Sequence, residues 1–324
     1  MALTQALGLN DLGDVVGVSS PANPNFNQIA TLWRNGQPTS LGMAPNGNYS
    51  YASAINNQGQ ICGEADDGDI RPLACIFSNG EAQIIDTGGN NSRGIFISET
   101  GEIIGNYARG FGTTWLPTMW SEDPNHPGRY DQTFFELFED PIGNFAYNYA
   151  LGANNSLVTV GQVSSILWSA RAGLWRNDAN HSLTLMQPLP DYWSCYAYGI
   201  NDAGIAVGVS DMGVSRDTPT VWLPNNPATP VALPLFLGET HGMAFAINNR
   251  GEVIGTHANG LPAFWRGGKI FDLMQSLDQS SAGWTDLSLS DINNRGEIVG
   301  VGKKNGVDKG FILKPLATVG IQPR

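Results

Sequence analysis

A chain of 324 residues with a net charge of −12 and only 14% charged residues is poorly suited to hold a nucleic-acid backbone or an anionic membrane surface. No apolar run nears the roughly 18 residues that would span a membrane, and residues 1–10 show no basic stretch followed by an apolar one, so no secretory signal is visible. The 40 glycines point to many tight turns between short strands.

From the N-terminus onward one unit recurs. Its turn reads Leu9-Asn10-Asp11-Leu12-Gly13, then Ile55-Asn56-Asn57-Gln58-Gly59, then Ile97-Ser98-Glu99-Thr100-Gly101. A degraded copy, Ala153-Asn154-Asn155-Ser156-Leu157, follows. Ile200-Asn201-Asp202-Ala203-Gly204, Ile247-Asn248-Asn249-Arg250-Gly251 and Ile292-Asn293-Asn294-Arg295-Gly296 complete the series. Asn tolerates left-handed backbone and Gly supplies positive φ, so each motif is a hairpin turn.

The second copy shows what surrounds the turn. Residues 51–55 and 61–65 read as strands joined by it. Asp66-Asp67-Gly68-Asp69 makes the next turn, and 73–77 and 82–86 are two further strands. Four short strands per copy, repeated at a near-constant interval, predict an all-β, seven-bladed β-propeller with four antiparallel strands per blade. It forms one domain, with blades at 1–46, 47–90, 91–145, 146–191, 192–240, 241–284 and 285–324.

The third strand confirms the register. It ends on Trp33, Phe77, Trp120, Trp175, Trp222 and Trp265 in the first six copies. An aromatic at one site in successive blades fills the wedge between sheets, so these five tryptophans are assigned to the core. Cys62 and Cys75 fall on consecutive strands and could face each other as a disulfide, or be two small buried residues; Cys195 has no evident partner.

These two signatures, apolar-Asn-Asn-x-Gly-x-apolar-apolar-Gly followed by small-x-apolar-Trp, resemble the HAF-type repeat family of bacterial proteins across all seven copies. The His-Ala-Phe triplet itself is replaced here, for example by Gln28-Ile29-Ala30 and Leu261-Pro262-Ala263. The resemblance implies an extracellular or cell-surface location; without a visible signal, a cytoplasmic one stays open. It transfers no catalytic residues.

Four tryptophans are surplus to the repeat: Trp115, Trp168, Trp193 and Trp284. They fall in connections that emerge on one rim, where Tyr51, Tyr149, Tyr192 and Tyr196 also gather. Exposed aromatics collected on one face mark recognition. Arg93 and Met243 occupy the place that Tyr51, Tyr149 and Tyr196 hold in other copies, so these five are expected to ring the channel mouth. Asp191, His241 and His257 belong to the same rim.

No Gly-x-Ser-x-Gly elbow, Walker loop, His-Glu-x-x-His or Cys-x-x-Cys pair occurs, so neither a cofactor nor a metal is expected. The Asp66–Asp69 turn lacks the spacing of a calcium loop. The leading expectation is a ligand-binding propeller that stacks a carbohydrate or another flat, apolar molecule on Tyr51, Trp115, Trp168, Tyr192, Trp193, Met243 and Trp284, with Asp191 and His257 as polar partners. The alternative is an enzyme at the same place, a polysaccharide lyase or hydrolase or a small-molecule cyclase, with Tyr149, Tyr196, His241 and Arg93 as its acid–base and charge-neutralising groups. A scaffold for protein partners is the third reading.

Overall fold

The first side chain of each turn motif builds the turn. The Asn10 carboxamide oxygen accepts the backbone N–H of Leu12 (3.1 Å) and Asp14 (2.9 Å). Asn248 does the same for Arg250 and Glu252, and Asn293 for Arg295 and Glu297, all at 2.9–3.0 Å. The closing glycines lie in the left-handed region, as Gly59 (φ 80°) and Gly251 (φ 74°) show. The degraded fourth copy keeps this geometry by forcing Leu157 to a φ of 60°.

A computed structural model describes residues 2–20, 28–69, 71–86, 88, 90–109, 114–138, 147–165, 168–213 and 216–316. Within them, seven antiparallel sheets follow one another in chain order as a seven-bladed β-propeller. Six have four strands and the last has three. The fourth strand expected there, over 316–321, falls almost entirely outside the described residues. The innermost strands are Ala2–Leu9, Ser50–Ile55, Ser92–Ile97, Tyr147–Ala153, Ser194–Ile200, Gly242–Ile247 and Trp284–Ile292.

The turns also join the blades. The second residue of each motif presents its side-chain oxygen to the backbone N–H of its counterpart in the preceding blade. Asp11 N–H bonds Asn57, Asn57 N–H bonds Glu99, and Glu99 N–H bonds Asn155. Asn155 N–H then bonds Asp202, Asp202 N–H bonds Asn249, Asn249 N–H bonds Asn294, and Asn294 N–H returns to Asp11. This head-to-tail circuit passes from the last blade to the first with no strand shared between them among the described residues. Carboxylates and amides alternate along it except at the neighbours Asn249 and Asn294, so each carboxylate lies between two asparagines. Burial alone would raise the Asp202 carboxyl, but hydrogen bonds from Asn155 and Asn249 outweigh it and hold the group below its usual range. A second set of bonds runs from the first Asn of one turn to the backbone oxygen of the next, as from Asn201 to Asn248 O (3.1 Å) and from Asn293 to Asn10 O (2.9 Å). Ser98 is too short to extend the set, and its hydroxyl serves only its own turn.

The core lies between sheets. Trp120, Trp175, Trp222 and Trp265 are fully buried, whereas Trp33 is half-buried. Three of them tie neighbouring blades through the indole N–H: Trp175 to Glu136 O, Trp222 to Gln187 O and Trp265 to Pro234 O, at 2.7–2.8 Å. Each acceptor lies on the chain leaving the fourth strand of the preceding blade.

One open alternative is decided, and two segments depart from the repeat. Cys62 and Cys75 are free and buried on opposite faces of one sheet: Cys62 pairs with Ile76, while Cys75 pairs with Gly63, one residue along. The segment 121–133 is a hairpin tip longer than the repeat calls for: Thr114–Glu122 and Tyr130–Phe134 carry the third and fourth strands onward, and residues 123–129 form the turn between them. A one-turn helix, Leu273–Ser276, capped by Asp272, stands between blades six and seven, where the repeat gave no signal for it.

Candidate functional site

Each of the seven inner strands carries a β-bulge three residues before its first turn residue, placing Leu7, Ser53, Ile95, Leu151, Tyr198, Phe245 and Ser290 out of register. All seven line a cavity of about 310 Å³ around the axis, whose far end is bounded by the turn residues Asp11, Asn57, Glu99, Asn155, Asp202, Asn249 and Asn294. In three blades the residue after the bulge is glycine because the neighbouring bulge presses on it: a Cβ on Gly152 would stand 2.6 Å from Tyr198 O. The extra residue also reverses which face the preceding side chains take. Tyr51, Arg93, Tyr149, Tyr196 and Met243 therefore do not line this axial cavity. They lie toward the opposite end of the strands, and the contacts that Tyr51, Arg93 and Tyr149 make run over the seams between blades.

The invariant glycine of the second strand belongs to the same region. A Cβ on Gly63 or Gly105 would overlap the backbone oxygen of Tyr51 or Arg93 directly. The rim residues are thus carried on backbone packed without room for any side chain beneath it.

At the seams of blades two, three and four, one cluster forms. Arg93 Nε meets Glu64 Oε2 at 2.8 Å, and its guanidinium stands 5.9 Å over the Trp115 ring. Trp115 packs edge-on against Tyr149 at 5.7 Å, and Tyr149 hydrogen-bonds Arg93. Tyr51 packs edge-on against Tyr49 at 5.7 Å and bonds Gln28 through its hydroxyl. Burial pushes the Glu64 carboxyl up, and Arg93 opposes it. Burial, joined by the nearby Glu64 charge, likewise raises the Tyr51 and Tyr149 phenols against the pull of Arg93. These phenols stay protonated near neutral pH; that of Tyr51 donates to Gln28, and the oxygen of Tyr149 accepts from the Arg93 guanidinium.

Glu64 was not singled out by the sequence reading. The signal was mixed, because its second-strand position is Val18, Val209 and Val301 in three copies but Asn106, Gln162 and Thr256 in the others. A carboxylate on that inward position needs a partner, and Arg93 is it.

Tyr196 and His241 belong to a different neighbourhood, in blades five and six. Tyr196 stacks on Tyr198 at 6.4 Å, and Tyr198 meets Phe245 edge-on at 6.1 Å. Burial raises the Asp217 carboxyl, helped by Asp211 and opposed by His241, which bridges to it along the backbone. The four residues expected to act together thus divide into Arg93 with Tyr149 and Tyr196 with His241.

The surplus tryptophans share an end of the strands but not a surface. Trp115 turns into the Arg93 cluster. Trp284 packs on Phe311 within its own blade at 5.7 Å and carries Lys304 over its ring. Trp193 is 60% exposed. Trp168 opens the third strand of blade four, and its side chain lies outside the described residues. Tyr192 bonds Thr218 and lies under Arg216. Asp191 is exposed with a φ of 69°. Of the polar turn 66–69, Asp66 is taken up by Asn48 and the Tyr49 N–H, and no cluster of three metal-ligating side chains occurs among the described residues.

Asp291 stands where the other inner strands have Gly8, Ala54, Phe96, Gly152, Gly199 or Ala246. Burial pushes its carboxyl up to about 7, although the Ile292 and Leu9 N–H groups donate to it; the nearby Asp11 charge adds to the rise. A carboxyl whose folded value exceeds its unfolded one does not destabilise the fold below pH ~4 and penalises it increasingly as pH rises toward 7. The side chain is partly open to the axial cavity, which softens the effect. Asp291→Ala is expected to gain about 1–2 kcal/mol more stability at pH 8 than at pH 5, read from urea midpoints at the two pH values. An equal effect at both would show that the carboxyl does not titrate in this range.

No protein-family model and no curated protein sequence matches the chain. Solved structures do. The β-propeller domain of the Trilobed protease from Pyrococcus furiosus, described as having an open velcro topology, aligns with a TM-score of 0.59 at 11% identity over 96% of this chain and 95% of its own. Pyrococcus horikoshii acylaminoacyl peptidase aligns at 0.58 and 11% identity, covering 97% of this chain and 51% of that one. A puromycin hydrolase aligns at 0.63 and 13%, covering 97% and 52%. This chain spans about half the length of the latter two, and at these identities the likeness is one of fold. Among the described residues, no helix is long and apolar enough to cross a membrane.

Proposed function

We propose that the propeller binds a carbohydrate carrying a carboxylate, an acidic sugar unit, over the seams of blades two to four. The observation that carries this reading is Arg93, half-exposed and held between the Glu64 carboxylate, the Trp115 ring and Tyr149. A guanidinium fixed over an aromatic face offers an anionic group a partner while the indole and phenol faces take the flat sugar ring. The raised phenols favour binding over β-elimination, which would need one of them to give up its proton. The HAF-repeat resemblance and an extracellular setting belong to the same reading.

Isothermal titration with oligogalacturonate tests it. Arg93→Ala is expected to weaken binding about tenfold or more, the loss of one charge-assisted contact, and Trp115→Ala comparably. Equal affinity in both variants and the parent, or equal affinity for a neutral oligosaccharide, would refute the reading. Mass spectrometry of the incubated sugar separates binding from catalysis, since an unsaturated or shortened product would replace this reading with the enzyme one.

A further inference from the structure

Blade six carries a second cavity, of about 590 Å³, that shares no lining residue with the Arg93 cluster or the axial cavity. His257 ends the second strand of the blade, and Asp272 ends the fourth and caps the short helix. Glu239 arrives on the connection from blade five. The repeat requires none of the three: the counterparts of His257 are Ser19, Ala65, Val163 and Ser210.

His257 is 4% exposed. Its Nδ1 lies 3.0 Å from Glu239 Oε1, and Phe236 packs edge-on against its ring at 5.0 Å. An ionised carboxylate only accepts, so Nδ1 carries a proton; with the ring neutral, Nε2 is left as a lone-pair acceptor. That Nε2 is buried and has no hydrogen-bond partner among the described residues. Across the cavity from it, at 3.9 Å, is Asp272 Oδ2, which is held by Gln275 Nε2 at 2.8 Å. A buried acceptor left unpaired is unfavourable, so a donor from outside the chain is what the arrangement lacks.

We propose that this cavity is a binding site for a primary ammonium group borne on an apolar or aromatic body. One nitrogen placed about 2.9 Å from each acceptor closes the 3.9 Å gap and donates to both His257 Nε2 and Asp272 Oδ2. Its positive charge is matched by Asp272 and Glu239. The body of the ligand lies on Phe236, Leu261 and Phe271, which are 36%, 45% and 42% exposed. An alcohol has one donor and satisfies only one acceptor, and a carboxylate ligand is repelled. A transition metal takes three or more protein ligands, and two face this gap.

Titration calorimetry of the full chain with 2-phenylethylamine and with its neutral counterpart 2-phenylethanol tests the site. The amine is expected to bind saturably and at least tenfold more tightly than the alcohol. Asp272→Asn, which keeps the helix cap, should lower amine affinity about tenfold or more and leave the alcohol unchanged. Glu239→Gln should weaken the amine as well. Arg93→Ala should alter neither ligand, which separates this site from the sugar reading. His257→Asn risks the packing of the blade, so the wild-type imidazole 15N resonances provide the parallel measurement: Nε2 should shift on adding amine and not on adding alcohol. Equal affinity for the two ligands, no saturable amine binding, an unmoved Nε2 resonance or an unaffected Asp272→Asn variant would each overturn the proposal.

Discussion

Replacing Trp222 by Ala should destabilise the protein by about 4 kcal/mol, the usual range for emptying a buried tryptophan site. The indole is 1% exposed and donates to Gln187 O at 2.8 Å. Its loss therefore leaves a large cavity between blades four and five and strips an anchor from the chain that joins them. For a chain of this size the thermal midpoint should fall on the order of 10 °C. Trp193→Ala is the matched control: its side chain is 60% exposed, and its removal should stay within about 0.5 kcal/mol. Chemical denaturation of both variants decides the matter. Similar midpoints would mean that the repeated tryptophan does not hold the wedge between sheets.

A comparable loss is expected from Asn201→Ala. The carboxamide accepts Ile205 N–H at 3.0 Å and donates to Asn248 O at 3.1 Å, both in a buried turn. Alanine orphans a donor and an acceptor, and the fold should weaken by roughly 2–4 kcal/mol. The chain already contains the informative intermediate. Ser98 closes its own turn through its hydroxyl but does not reach the next blade. Asn201→Ser should therefore keep the turn and lose only the bond between blades, about 1 kcal/mol. Urea midpoints should fall in the order parent, serine, alanine. If serine and alanine were equivalent, the bond within the turn would be negligible and the link between blades would carry the whole effect.

Most of the scaffold is legible in the sequence because the repeat is written in residues whose reasons are local. The turn asparagines and glycines fix hairpin geometry, and the tryptophans mark the same strand in successive blades. What the alignment alone misses is the bulge. Strict alternation would send Tyr51, Arg93 and Tyr149 into the bore along with Ile55, Ile97 and Ala153, yet one inserted residue per strand turns them over the seams. A bulge leaves no signature when the inserted residue is as ordinary as Ser53 or Leu151. Glu64 was passed over because a lone acidic residue in a short strand reads as solvent-facing until its register is fixed. The partnership of His257 with Glu239 depends on how the connection from blade five folds back, which residue spacing does not encode.

The circuit of turns has a parity. Three carboxylates and four amides on an odd number of stations cannot alternate without a defect, and the defect is the adjacent pair Asn249 and Asn294. An eighth blade inserted at that junction with Asp at its station would give an even, fault-free cycle. Placed anywhere else, an acid would stand beside another acid, and an amide beside another amide. The wreath therefore has a single natural point of enlargement, set by electrostatics before any question of core packing arises.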